Sequence, residues 1–358
     1  MARSAEMLWI DVLEHEESGE REEALDLARQ ITRLAPDHAA AWKMGARMTL
    51  PPSRRGKSEM PTLAQAASAL GALRQVVKLE PNDRDSWILG GILLVDHLGM
   101  LEEALAWWQE RRAVEPTEVT PLVEQIAILV RLGMYTQAGE LLEILFSPEM
   151  ESPDNRQLVK MDQVRKMVEK AAKMEKDEVF RPQNPEHPRW EIIDRMKGRK
   201  PLSETFFLFT FVAPIVFLIG TVAMQLIGPS KYGFLLVFII ILGLFMLVSR
   251  MGSGLLHTLN RHALDLDRAL DVESTAAKLC VPEDIRGSKL YENLLGKRPE
   301  AFRERHTKIV EADENLAVKW RPNLPNFAVD AGWWDNADED DEDDSESGEP
   351  IELDGLED

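Results

Sequence analysis

The residues with the most reactive side chains are few and scattered along the chain. His257 and His262 come nearest to a metal-ligand pair, but they stand five residues apart and so do not share a helix face as paired ligands would. Gly252-Ser253-Gly254 places a serine between glycines, yet a nucleophile elbow needs Gly-x-Ser-x-Gly around a strained strand-to-helix turn. No glycine-rich phosphate loop, Gly-x-Gly-x-x-Gly or His-Glu-x-x-His pattern occurs. The single cysteine, Cys280, excludes an intramolecular disulfide and reads as a small buried apolar residue. The expectation is a protein that is not an enzyme, with no cofactor and no bound metal.

The elements behind these residues are better defined. Glu22-Glu23-Ala24-Leu25 and Glu102-Glu103-Ala104-Leu105 are near copies, and Ala69 stands in the same role between them. In each unit a proline follows the alanine by twelve residues: Pro36, Pro81 and Pro116. Leu132-Gly133-Met134-Tyr135-Thr136-Gln137-Ala138 repeats the joint a fourth time. The alanines are spaced by 45, 35 and 34 residues, the first interval being lengthened by a Pro-rich, basic insertion from Pro51 to Pro61. A small residue lets two helices approach closely, and proline, lacking an N–H, stops the second helix.

Residues 5–150 therefore resemble the tetratricopeptide repeat family. The first-helix signature departs from the family's, with Trp42 followed by Gly45 and Trp87 by Gly90 and Gly91. The resemblance implies an all-α solenoid of four helix pairs, capped by a helix over Gln157–Lys176, whose first helices line a groove. Counting back from each proline or from Ala138 puts Trp9, Leu13, Lys43, Arg47, Leu89, Leu93, Asp96, Val123, Ala127 and Arg131 there. Lys43, Arg47 and Arg131 make part of this groove cationic, which favours an acidic or carboxylate-bearing protein segment, although Glu6 and Asp96 dilute that charge. The first helices hold no asparagine, so the carboxylate clamp used by chaperone-binding members is not expected.

Two apolar runs follow, Phe206–Ile227 and Tyr232–Val248, with no ionisable side chain deep in either. At ~1.5 Å per residue they span roughly 33 and 26 Å as helices, against about 30 Å of hydrocarbon. Gly228-Pro229-Ser230-Lys231 between them is short enough to force an antiparallel hairpin. Arg189, Arg195, Lys197, Arg199 and Lys200 precede the hairpin and Arg250 and Arg261 follow it, so the positive-inside rule puts both flanking parts in the cytoplasm. Without midplane charges the hairpin reads as an anchor, not a transport path. Gly220, Gly233 and Gly243 permit close helix packing and leave a homo-oligomer open. The N-terminal residues lack the charged and apolar regions of a signal peptide.

After the hairpin, Leu255, Leu256, Leu259, Ala263, Leu264, Leu266, Ala269, Leu270 and Val272 form an amphipathic pattern suited to the bilayer surface or to the solenoid. Short helices are expected at 288–295 and 299–317. Asp335–Asp358 holds fourteen acids and no base, so of the 62 acids and 42 bases in the chain the body retains 48 against 42. No domain-sized segment is basic, which sets nucleic acid aside as a partner. The tail is expected to be disordered, and Trp333-Trp334 before it reads equally well as a docking motif or as part of the fold.

The expected domains are thus a repeat domain (1–150), a capping helix with a basic juxtamembrane linker (151–202), a transmembrane hairpin (203–250), cytosolic amphipathic and short helices (251–334) and an acidic tail (335–358). Such a chain is expected at the cell membrane, as a scaffold or assembly factor that recruits a protein or peptide to the bilayer. The alternative is a structural subunit of a larger membrane complex in which the hairpin makes the main contacts.

Overall fold

The computed structural model describes residues 4–52, 59–172, 179–227 and 232–327. Within them the chain is all-α, with one isolated bridge between Leu279 and Asn315. The turn at 228–231, residues 53–58 of the insertion, the last residues expected of the capping helix, Trp333-Trp334 and the acidic tail lie outside the described residues.

Helices α1 (Ala5–Ser18), α2 (Arg21–Leu34), α3 (Ala39–Thr49), α4 (Leu63–Leu79), α5 (Arg84–Ile92, extended by a π-helical turn Leu93–Leu98), α6 (Leu101–Val114), α7 (Val119–Leu132) and α8 (Tyr135–Leu145) pack each on its successor. The alanines that mark the period, Ala24, Ala69, Ala104 and Ala138, are all fully enclosed. A larger side chain at such a point would push the neighbouring helix away. Pro36 and Pro81 each lie two residues beyond a helix end, and each carbonyl accepts a hydrogen bond from an indole six residues on, Trp42 at 2.9 Å and Trp87 at 2.7 Å. The turn between pairs is thereby tied to the first helix of the next pair. Gly19, Gly99 and Gly133, with φ between 64° and 78°, end the first helices of three pairs in the left-handed conformation that glycine adopts without strain.

Gly90 and Gly91 have a different role. A Cβ at Gly90 would stand 2.3 Å from the Trp107 ring and one at Gly91 2.2 Å from the Trp108 ring, so two adjacent glycines on α5 receive two adjacent indoles from α6. α9 (Asn155–Ala172) covers α7 and α8 and buries Met161, Val164, Val168 and Ala171, while Leu158 on the same apolar stripe is 49% exposed.

α10 (Arg189–Met196) leads into a continuous helical segment, Glu204–Ile227, made of α11 (Glu204–Phe207), a π-helical stretch Leu208–Val212 and α12 (Ala213–Ile227). The π-helical stretch comes just before Pro214, whose ring and missing N–H prevent a regular ladder there. This segment, 24 residues with a mean hydropathy of 2.4 in its apolar window, is long and apolar enough to cross a membrane. α13 (Gly233–Leu259) packs along it, with the Gly220 backbone against Ile241, and its apolar part Gly233–Val248 is shorter. Among the described residues Phe207, Val212, Val216, Val237 and a few partners are covered, while Phe209, Phe217, Leu226 and Phe234 are each at least 70% exposed.

Beyond α13 the chain returns to the first helices. α14 (Arg261–Ala276) lies against α6, α7 and α10, while α17 (Glu300–Ala312) lies against α4 and the turn after α5. Between them α15 (Glu283–Arg286) and α16 (Lys289–Leu295) complete a second core with Phe180, Trp190 and Ile193. The amphipathic pattern of 255–272 is therefore split at Asn260, and its α14 part is packed on protein. The extended segment after α17 brings Trp320, Leu324 and Phe327 onto the main core.

Candidate binding site

The ten residues expected to line a groove divide into two groups. Toward the N-terminus, Leu13 is 40% exposed and Trp9 is half-buried with its ring over His38 at 5.0 Å. Lys43 Nζ donates to Asp83 Oδ1 at 2.8 Å, and Arg47 Nη2 stands 3.0 Å from Glu16. Burial works to raise the Asp83 carboxyl, but hydrogen bonds from Lys43 and Ser86 prevail and hold it below its ordinary value. Leu89 and Ala127 are half-buried and Asp96 is exposed.

Leu93 and Val123, by contrast, are enclosed in the core, so the face counted as groove at these positions is interior. Arg131 is also committed: its Nε and Nη2 donate to Asp271 at 3.0 and 2.7 Å. All three cations of the expected groove are thus paired with carboxylates of the same chain, and the free positive charge inferred from them is absent at these positions. Spacing carried no information on which face the later segment covers.

That cover is built mainly from α14. Arg268 donates to the carbonyls of Arg131 and Val130 at 3.1 and 3.4 Å and to the Tyr135 hydroxyl, with its guanidinium over the Tyr135 ring. Arg298 joins Asp267 at 2.8 Å to Asp271 at 2.9 Å. Arg189 meets Asp265 at 3.0 Å. Farther on, Arg305 donates to the Leu98 carbonyl at 3.1 Å, Glu304 accepts the Leu63 N–H at 3.1 Å, and Gln109 donates to the Asn326 carbonyl at 3.1 Å. Arg189 was read from sequence only as a juxtamembrane base, and Arg268, Arg298, Asp265, Asp267 and Asp271 were not singled out. The signal was present as carboxylates at 267 and 271, one helical turn apart in a pattern read only for its leucines.

Between α7, α9, α13 and α14 a cleft of about 420 Å³ remains. Val130, Met167, Phe180 and Leu264 give it apolar walls, and Lys170, His257, Arg261 and Arg268 add polar lining. Lys170 Nζ lies 3.2 Å from His257 Nδ1; burial first and the Lys170 charge second push the imidazole down from its ordinary value, so it is neutral at pH 7.

A second polar group is sealed in the interior. Glu273 Oε1 accepts the Cys280 and Val281 N–H groups at 2.7 and 2.8 Å and Arg286 at 2.8 Å. His306 Nε2 is hydrogen-bonded to the Tyr291 hydroxyl at 2.7 Å. Burial, then the Glu273 charge, push the Cys280 thiol well above its ordinary range, which keeps it protonated and inert. Glu273, Tyr291 and His306 are all buried, and their contacts join α14, α16 and α17. No protein-family model matches this sequence, and no curated protein matches it either.

Proposed function

We propose that this protein is a membrane-anchored scaffold or assembly factor. In this reading α1–α8 are a solenoid of tetratricopeptide-repeat type that binds a protein or peptide segment. Phe206–Ile227 and Tyr232–Val248 cross the bilayer as a hairpin, and both flanking parts lie in the cytoplasm. The observation that carries it is the contrast between two surfaces of one chain: a helix pair whose large apolar side chains are mostly exposed, and helical repeats whose later face is already covered. Exposed apolar side chains on that scale are costly in water and favourable in hydrocarbon.

Partner binding is assigned to the first two repeats, where Trp9, Leu13, Lys43 and Arg47 keep exposed or half-exposed side chains. Met7 and Ile10 extend this surface at 57% and 65% exposure. Leu13→Glu with Arg47→Glu is expected to abolish recovery of a partner captured from solubilised membranes; undiminished recovery would remove the assignment. The topology is tested by a Cys280→Ser chain carrying Ser230→Cys, which should react with an impermeant thiol reagent only from the side opposite the repeats.

The alternative, a structural subunit held by its hairpin, is favoured by how little of that helix pair is covered within the chain. Replacing the hairpin by an unrelated one separates the two: a scaffold keeps its partner, whereas a subunit loses its assembly.

A further inference from the structure

We propose that the cleft between α7, α9 and α14 is a binding site for the phosphate headgroup of an anionic phospholipid. The inference rests on the membrane reading above and on three features of the cleft.

Charge is the first. Each carboxylate lining the cleft is already met by an arginine: Asp271 by Arg131 at 2.7 Å, Asp265 by Arg189 at 3.0 Å and Asp267 by Arg298 at 2.8 Å. Lys170, Arg261 and Arg268 also line it, and none of them forms an ion pair with a carboxylate among the described residues. Lys170 is bonded only to an imidazole, and Arg268 is hydrogen-bonded only to carbonyls and a hydroxyl, although Arg268 and Arg261 both share the field of Asp265, the carboxylate that Arg189 meets directly. Among the described residues the lining therefore holds four cations, Arg131, Lys170, Arg261 and Arg268, against three carboxylates, an excess of positive charge that a phosphate would offset, with several N–H donors to receive its oxygens.

The walls are the second. Met167, Phe180 and Leu264 supply apolar surface beside the cations, which suits an amphiphile better than a free ion. Leu255, Leu259 and Leu264, at 54%, 42% and 46% exposure, form successive apolar positions from the end of the hairpin to the cleft. An acyl chain has apolar surface to follow along this route.

Position is the third. His257, on the last turn of α13, is nine residues beyond Val248, about 14 Å along a helix at ~1.5 Å per residue. The headgroup layer extends roughly 5–8 Å past the hydrocarbon. Lysine and arginine side chains reach across the remaining distance.

The test uses the full chain in detergent micelles, which requires no bilayer and so stands apart from the hairpin reading. Phosphatidic acid with a photoactivatable acyl chain is expected to label peptides containing Met167 and Leu264 at least about tenfold more than the matching phosphatidylcholine, as expected for desolvated charge pairing. Lys170→Glu with Arg261→Glu should reduce that labelling by about the same factor while the melting temperature is kept; Lys170→Gln with Arg261→Gln, a milder change, should reduce it less. Equal labelling by the two lipids, or no loss in either variant, overturns the site. Complete competition by inorganic phosphate would assign the cleft to a soluble anion and overturn the lipid. Extraction of the chain from native membranes by alkaline carbonate would count against the hairpin alone, since labelling in micelles does not depend on it.

Discussion

Arg131 and Asp271 lie 140 residues apart in sequence and are joined by two hydrogen bonds, at 3.0 and 2.7 Å. Burial alone would lower the guanidinium's affinity for its proton, but the Asp271 carboxylate more than compensates and raises it. The pair fixes α14 to α7, and α14 follows directly on the helix that leaves the apolar pair.

Truncating the two partners should have unequal effects. Asp271→Ala leaves both Arg131 and Arg298 without this carboxylate, whereas after Arg131→Ala the Asp271 carboxylate keeps Arg298 at 2.9 Å. The expected loss for Asp271→Ala is on the order of 3 kcal/mol, with a smaller one for Arg131→Ala. Denaturant unfolding of the full chain in detergent measures both; a larger loss for Arg131→Ala would show that Arg298 does not share the charge.

Gly90→Ala and Gly91→Ala should each destabilise the fold, because the added methyl meets a rigid indole face at 2.3 or 2.2 Å. Overpacking of this kind costs typically about 1–3 kcal/mol. Gly71→Ala on α4, where a Cβ meets nothing within 4 Å, is the internal control and should be neutral or slightly stabilising. The comparison is of melting temperatures, and a loss at Gly71 equal to that at Gly91 would count against the indole clash as the cause.

The helices of residues 5–145 were legible because their cause is local. Ala24, Ala69, Ala104 and Ala138 are enclosed and Pro36 and Pro81 lie beside helix ends for reasons contained within about forty residues. Gly90 and Gly91 looked like departures from the repeat signature, since the indoles they receive are on the next helix. Arg131 could not be assigned from spacing at all. It sits on a first helix as expected, but the residue that occupies it comes from the far side of the apolar pair, and no pattern within the repeats encodes that contact. For the same reason Leu93 and Val123 read as groove when they are core.

Low pH should loosen the C-terminal helices through His306. Burial, reinforced by Arg286, Arg305 and Arg298, lowers its pKa to about 4. These outweigh Glu273 Oε2, which stands 3.7 Å away. The unfolded chain takes up this proton near pH 6.5 and the folded chain only near pH 4, so the unfolded state binds more protons between those values. The neutral imidazole's contribution is therefore fully present above about pH 6.5 and is lost progressively as the pH falls to about 4. His306→Gln should flatten the fall in melting temperature over that interval. An unchanged slope would place the titration elsewhere.

At the base of the apolar helix pair one side chain hydrogen-bonds the two chain ends together. Asn260 Oδ1 accepts the Leu202 N–H at 2.9 Å and Asn260 Nδ2 donates to the Leu202 carbonyl at 2.9 Å, which joins the entry to the first apolar segment to the exit from the second. A side-chain amide can make this reciprocal pair with a peptide group, whereas a carboxylate can only accept and would face the Leu202 carbonyl with like charge. Asn260→Asp is therefore expected to be worse than Asn260→Ala, although aspartate is nearly the same size. Losing the pair should cost about 1–2 kcal/mol locally, seen as roughly tenfold faster hydrogen exchange at the Leu202 amide. The apolar segments themselves should keep their protection, because their contacts through Gly220 and Ile241 are independent of the base. Equal exchange at Leu202 in wild type and both variants would mean that the two chain ends are held together by the packing of α10 on α14 instead.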